Sequence, residues 1–303
     1  VRFHQAIAFL PTDQVAPLAR ACDRAGYAGL YVSDHLFNPK DLASRYTYSV
    51  RDDGAPGWDK TTAWPDAMCL ISALGAMTER LTFTTGVYVA PARDLITVAK
   101  SVGTAAVLTG GRVRLGVGVG WCQEEFVQTG QDFGTRGRRL DEMIPALRAL
   151  WAGGWVEWHG THYDVPACQM EPAPAVPVPI YGGGHSGPAL RRAATLCDGW
   201  IAAGAYTEDE AWAHLGELQA ARETAGRADQ PYDIYLSLSE APSVDLYRRF
   251  ADAGVTDLVC APWMFVRPEP GAGAEQVLAA RLAAVDWFAE HIVAPMAEEG
   301  ARR

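Results

Sequence analysis

Short β-branched and apolar runs bounded by Gly, Pro or Asp alternate along this chain with longer segments whose apolar positions recur at helical spacing. Residues 2–9 carry the first strand pattern. Thr12 or Asp13 is placed to cap a helix running to about Ala25, and Gly26 supplies its stop. A second strand over 29–34 leads into a long polar loop, about 36–62, and then a helix over 64–77. The third strand spans 81–90, with Pro91 behind it. Asp94 is positioned to cap a helix to Leu108, and 113–119 is the fourth strand. After an irregular stretch, 136–151 returns to helical period. Strands then follow over 178–181, 199–203, 233–239 and 257–261, with helices over 188–197, 208–225, 244–253 and about 275–291.

Eight strand–helix pairs in succession imply a parallel sheet, and that number closes most naturally into a (β/α)8 TIM barrel. Residues 156–165 break the alternation and predict a hairpin turning near His159-Gly160, while the proline-rich 171–179 predicts an extended surface crossing. The expectation is therefore one barrel domain over 1–303 with insertions at about 36–62 and 153–178.

Composition narrows the partners. A net charge of −10 with no basic stripe argues against nucleic acid and against an anionic membrane surface. No run approaches a membrane span, and the first ten residues lack a basic leader, so a cytoplasmic location is expected. Six scattered cysteines show no metal-binding spacing and are expected to be reduced thiols. His159-Gly160-Thr161-His162 has no neighbouring carboxylate cluster, so no metal is expected.

Barrel sites form at the C-terminal ends of the strands, which singles out four segments. Val32-Ser33-Asp34-His35 places an acid–base imidazole beside a carboxylate; the plainer alternative is a capping Asp and a solvated His. Thr85-Gly86-Val87 puts a glycine inside a β-branched run, marking either a bulge at a ligand or a packing glycine. Gly116, Gly118 and Gly120 alternate, clearing one face for a flat ligand or a neighbouring strand; Arg136 stands where a dinucleotide fold needs an acid. Tyr181-Gly182-Gly183-Gly184-His185-Ser186-Gly187-Pro188 feeds a helix containing Arg191 and Arg192. Its amides and dipole suit a phosphate, with Ser186 either capping the helix or bonding a phosphate oxygen. Trp58, Trp121, Trp155 and Trp158 are placed either to wall a pocket or to pack on the barrel. The 36–62 loop, with Arg45, Tyr46, Tyr48, Arg51 and Trp58, is either a specificity-setting cover or a lid without specific contacts.

Taken together, these segments, with the run from Gly118 to Phe126 and Arg136-Gly137-Arg138-Arg139-Leu140-Asp141-Glu142, resemble the luciferase-like monooxygenase superfamily over essentially the whole chain. The likeness is to its compact branch that uses the deazaflavin coenzyme F420, with FMN and O2 as the alternative chemistry. The resemblance implies a non-prolyl cis peptide at Gly86-Val87 behind the cofactor ring, with Thr85 beside it. It implies Gly118 and Gly120 beneath the ring, and Gly183, Gly184, His185 and Ser186 around the phosphate. Asp34 and His35 would lie at the reactive edge, His35 handling a proton. A small organic substrate and a homodimer, to which 64–77 could contribute, are also implied.

Overall fold

The protein is described here from a computed structural model that covers residues 1–48 and 51–302; Ser49 and Val50, inside the predicted 36–62 loop, lie outside the described residues. In chain order the first half comprises β1 (Arg2–Ala6), α1 (Thr12–Ala25), β2 (Gly29–Val32), α2 (Ala67–Gly75), β3 (Thr82–Thr85), α3 (Leu95–Leu108), β4 (Val113–Val117), α4 (Gln123–Gln128) and α5 (Arg136–Leu150). Then come β5 (Trp155–His159), β6 (Asp164–Gln169), β7 (Ile180–Gly183), α6 (Gly187–Leu196), β8 (Gly199–Tyr206) and α7 (Glu208–Thr224). The chain ends with β9 (Asp233–Leu238), α8 (Val244–Asp252), β10 (Asp257–Cys260), α9 (Ala274–Phe288) and α10 (Ala294–Arg302).

Eight parallel strands close a barrel in the order β1-β10-β9-β8-β7-β4-β3-β2, the (β/α)8 architecture that the alternation predicts. The two remaining strands, β5 and β6, pair antiparallel outside it. This hairpin is pinned by Glu142 of α5, whose carboxylate accepts the amides of Thr161, His162 and Tyr163 and the indole N–H of Trp158. His159 bonds Asp164 across the hairpin at 2.6 Å, and no three His, Cys, Asp or Glu side chains cluster as metal ligands among the described residues. No helix among them is long and apolar enough to cross a membrane.

Several boundaries differ from the pattern for local reasons. α1 starts at Thr12 behind Pro11 with no side-chain cap, so neither Thr12 nor Asp13 caps it; Gly26 does close it, at φ 88°. Pro65 keeps Trp64 out of helical conformation, and α2 begins only after Asp66, whose carboxylate accepts the Cys69 amide. Asp94 caps α3 through Thr97, as its position suggests. The third strand stops at Thr85 because the Gly86–Val87 peptide is cis and breaks the ladder, which Tyr88 rejoins opposite Val117. The irregular stretch after the fourth strand contains α4, too short to show a period. The 171–179 crossing opens with a cis Glu171–Pro172 bond, so it is not uniformly extended.

The outer faces of the strands pack on the helices through an apolar core; Phe3, Leu30, Phe83, Leu115, Ile180 and Trp200 are all buried there. The inside of the barrel is different. Tyr235 bonds Thr84 and packs on the rings of His4 and Tyr181, and Tyr181 donates to Asp233 at 2.7 Å. At its N-terminal end Asp257 accepts from His4 at 2.6 Å and from Arg2 at 2.6 and 2.8 Å. Burial opposes ionisation of Asp257, but the bonds from His4 and Arg2 outweigh it and hold the carboxyl down at about 2.

Candidate active site

The cis peptide and the alternating glycines form one interlocked surface at the barrel mouth. Gly86 donates to the Val32 carbonyl at 2.7 Å, and the Ser33 hydroxyl donates to the Gly86 carbonyl at 3.3 Å. Thr85 is buried, its hydroxyl bonded to the Gly116 carbonyl at 2.8 Å, so this residue braces the bulge from within the wall. A Cβ on Gly118 would stand 2.4 Å from Val87 Cγ2, one on Gly183 2.3 Å from Val87 Cγ1, and one on Gly120 2.5 Å from Val89 Cγ1. The space cleared by Gly118 and Gly120 is thus taken first by the bulged third strand. Val87 is thereby presented on a smooth backbone floor, and it and Gly86 keep partial exposure among buried neighbours. Tyr31 lies against Gly86 so closely that any side chain there would overlap its ring.

Asp34 and His35 are adjacent in sequence but face different partners. Asp34 is buried and forms a two-pronged ion pair with Arg93 at 2.8 and 2.9 Å, while also accepting the Val89 amide at 3.0 Å. Its carboxylate does not touch the His35 ring; it ties β2 to the segment behind the bulge. His35 instead pairs through Nδ1 with Glu125 Oε1 at 3.0 Å, and that oxygen also accepts the Leu36 amide at 2.7 Å. Glu125, only 1% exposed, comes from α4. The ring of His35 is boxed by Trp64, Trp58 and Trp121 at 4.9–5.7 Å between centroids. It lines a cavity of about 360 Å³ together with Trp58, Trp121, Arg45, Lys60 and the ion pair Arg51–Asp53. Neutral imidazole with Nδ1–H given to Glu125 leaves Nε2 as the proton acceptor, and the carboxylate stabilises the imidazolium that follows.

The glycine turn stands across the mouth. Gly184 adopts φ 108°, a conformation that only glycine takes without penalty, and its carbonyl is fixed by the Trp200 indole at 2.7 Å. Ser186 occupies the N-cap of α6 but makes no capping bond, so its exposed hydroxyl is not committed to the helix. Arg191 projects beside Gly187, whereas Arg192 is turned inward onto Asp141 at 2.5 Å and braces α6. His185 stacks on His214 of α7 and bonds the Tyr206 hydroxyl. An open glycine floor, an uncapped helix N-terminus and polar side chains at its rim fit a ring-bearing, phosphorylated cofactor.

The 36–62 loop covers this surface. Tyr48 sets its edge on His185 at 5.4 Å, and Tyr46 packs on Trp58 and Trp121. Its anchor is Glu124, which accepts the Ala43 and Ser44 amides at 2.7 and 3.1 Å, while the Gln123 amide donates back to the Ser44 hydroxyl. Burial works against the Glu124 charge, but the Ser44 and amide bonds prevail and hold it at about 2. Between the loop and the segments that follow β1 and β10 lies a second cavity of about 560 Å³, walled by Phe9, Tyr46, Tyr48, Trp58, Trp263 and Met264. Of the four tryptophans singled out by sequence, Trp58 and Trp121 wall the site; Trp155 is exposed on the hairpin and Trp158 is held by Glu142. Glu125, Arg93, Trp64 and His214 were not distinguished by sequence. Each acts across a long stretch of chain, and only the run around Glu125 belonged to any motif.

A model of the luciferase-like monooxygenase family matches residues 5–248. An uncharacterised protein of Mycobacterium tuberculosis is 35% identical over 294 residues, covering 97% of this chain and 99% of its own. An F420-dependent glucose-6-phosphate dehydrogenase of Nakamurella multipartita is 28% identical over 275 residues, covering 88% of this chain and 73% of its own. Among solved structures, an F420-dependent secondary alcohol dehydrogenase in complex with an F420-acetone adduct superposes with a TM-score of 0.70 at 14% identity, over 97% of this chain and 98% of that one. At that identity the likeness speaks for the fold alone.

Proposed function

Because this chain belongs to the luciferase-like monooxygenase family, we propose that it is an F420-dependent oxidoreductase acting on a small organic molecule. The observation that carries this reading is the His35–Glu125 pair, held in a tryptophan-walled cavity, with His35 two residues after Ser33, whose hydroxyl bonds the Gly86 carbonyl of the cis bulge. The relative from Nakamurella multipartita, named as F420-dependent, supports the deazaflavin over FMN.

In this reading Gly86, Val87, Gly118 and Gly120 support the ring, while Gly183, Gly184, His185 and Ser186 hold the phosphate. Bound there, the deazaflavin supplies two-electron hydride chemistry with little reactivity toward oxygen. His35 holds or releases the accompanying proton at Nε2, with Glu125 fixing its tautomer. Asp34 acts through its ion pair with Arg93, positioning the strand end on which His35 stands. Trp58, Tyr46 and Tyr48 close over the floor and exclude water. Met77, Ile96, Val107 and Leu108 are exposed apolar side chains on and beside α2 and α3, and they support pairing of two copies through that face. Sedimentation at a single-copy mass would remove the dimer from the reading.

The cofactor is tested by titrating the purified protein with F420 and, separately, with FMN, following tryptophan quenching. Tight binding of F420 with weak FMN binding is expected. The reverse order would replace hydride transfer with oxygen-dependent chemistry.

A further inference from the structure

The glycine turn carries a feature that a phosphate cradle does not require. The imidazoles of His185 and His214 lie almost parallel, 4.7 Å apart and 15° from coplanar, one from the turn and one from α7. Each has one nitrogen committed. His185 Nδ1 is 2.8 Å from the Tyr206 hydroxyl, which also accepts the Ala203 amide, and His214 Nδ1 is 3.0 Å from Glu217 Oε2. Two stacked imidazoles repel when both are charged, so without an anion the pair resists a second proton. Burial and the neighbouring His214 both lower the His185 value. The other ionisable groups facing the pair are Tyr48 from the loop, Tyr206 from β8, and Glu210 and Glu217 from α7, while Arg191 of α6 lies beside Gly187 in the same turn. The two glutamates favour protonation of His185, yet on their own they would repel an incoming anion.

We propose that His214 joins His185 as a cofactor-binding residue, the stacked pair taking up one proton when an anion occupies the glycine turn. The inference rests on the reading that this turn holds the cofactor's phosphate. The anion compensates the charge that stacking disfavours, and the new imidazolium offsets Glu210 and Glu217. Cofactor affinity therefore rises as pH falls through the histidine range. The F420 phosphate is a diester that keeps its single charge across this range. The ring hydroxyl does titrate there but is shared by the deazaflavin core that lacks the phosphate, so the difference between the two ligands belongs to the protein.

Calorimetric titration of the whole protein with F420 near neutral pH, in two buffers of different ionisation enthalpy, counts the protons taken up. Uptake on binding F420 is expected to exceed that on binding the deazaflavin core lacking the phosphate by nearly one proton. Affinity for F420 relative to that core should rise about three- to tenfold per pH unit on acidification from slightly alkaline to slightly acidic conditions. In His185→Gln and in His214→Gln both the excess uptake and this relative pH dependence should vanish. Binding of both ligands with equal proton uptake overturns the role of the histidine pair and leaves the cofactor reading standing. If F420 does not bind, the cofactor reading falls, and the role of the histidine pair is decided with sulfate, whose charge is constant. Sulfate should raise the midpoint at which the His185 ring protonates, followed by its NMR signal, in the wild type but not in His214→Gln. An unmoved midpoint in the wild type overturns it.

Discussion

The barrel carries the same chemical pair at both ends, a histidine bonded to a carboxylate, and the two ends use it differently. At the N-terminal end His4 and Asp257 are 2.6 Å apart with side chains 1% and 0% exposed, and Arg2 and Thr256 also bond the carboxylate. At the mouth His35 and Glu125 are 3.0 Å apart; Glu125 is as deeply buried, but His35 is 12% exposed and lines a cavity. Residue type alone does not separate them. What separates them is that one ring is enclosed by the barrel and the other keeps an open edge toward a space of ligand size.

The sharpest way to break this comparison is to truncate both histidines. His35→Ala should lower turnover by about a hundredfold or more while changing F420 affinity only a few-fold. His4→Ala should leave turnover of the folded protein unchanged, so an equal loss there would erase the distinction. Next in size is the stability of the buried pairs. Arg93→Ala strands the Asp34 carboxylate in the wall and should cost about 3 kcal/mol or more in urea unfolding. His4→Ala leaves Asp257 its Arg2 partner and should cost less, about 2 kcal/mol, whereas His35→Ala should cost under about 1 kcal/mol.

The smallest effect is in acid. Asp257 is depressed from the ordinary 3.8 to about 2, so its contribution is complete above the ordinary value and is lost as pH falls toward 2. His4→Gln should narrow that window and move the acid-unfolding midpoint upward, read by circular dichroism. His35→Gln should leave the midpoint in place.

The fold was legible because strands and helices each leave their own period, and eight repeats of that alternation leave few ways to close a sheet. Asp34 and His35 were legible as a pair at a strand end, but their roles were not. Arg93 lies 59 residues from Asp34 and Glu125 lies 90 from His35, and only barrel closure brings them together. α4, which delivers Glu125, is a six-residue helix with no repeat to detect. The alternating glycines were visible and the cis Gly86–Val87 bond was expected from the resemblance, yet Val87 as their first occupant was not, because only barrel closure sets it against Gly118 and Gly183. His214 sits mid-helix with Glu210 and Glu217 one turn to either side and looks like any solvated position until α7 packs beside the turn.

The interlock of Val87 with Gly118 and Gly183 also restricts how this mouth can change over generations or at a designer's bench. Alanine at Gly118 or Gly183 alone collides with a valine methyl; trimming Val87 first removes the obstacle but leaves a hole in the floor. Substitutions at these three positions are therefore tolerated in combination more readily than singly. Libraries that randomise one of them at a time will report a rigid site, while paired libraries will find that it can be redrawn.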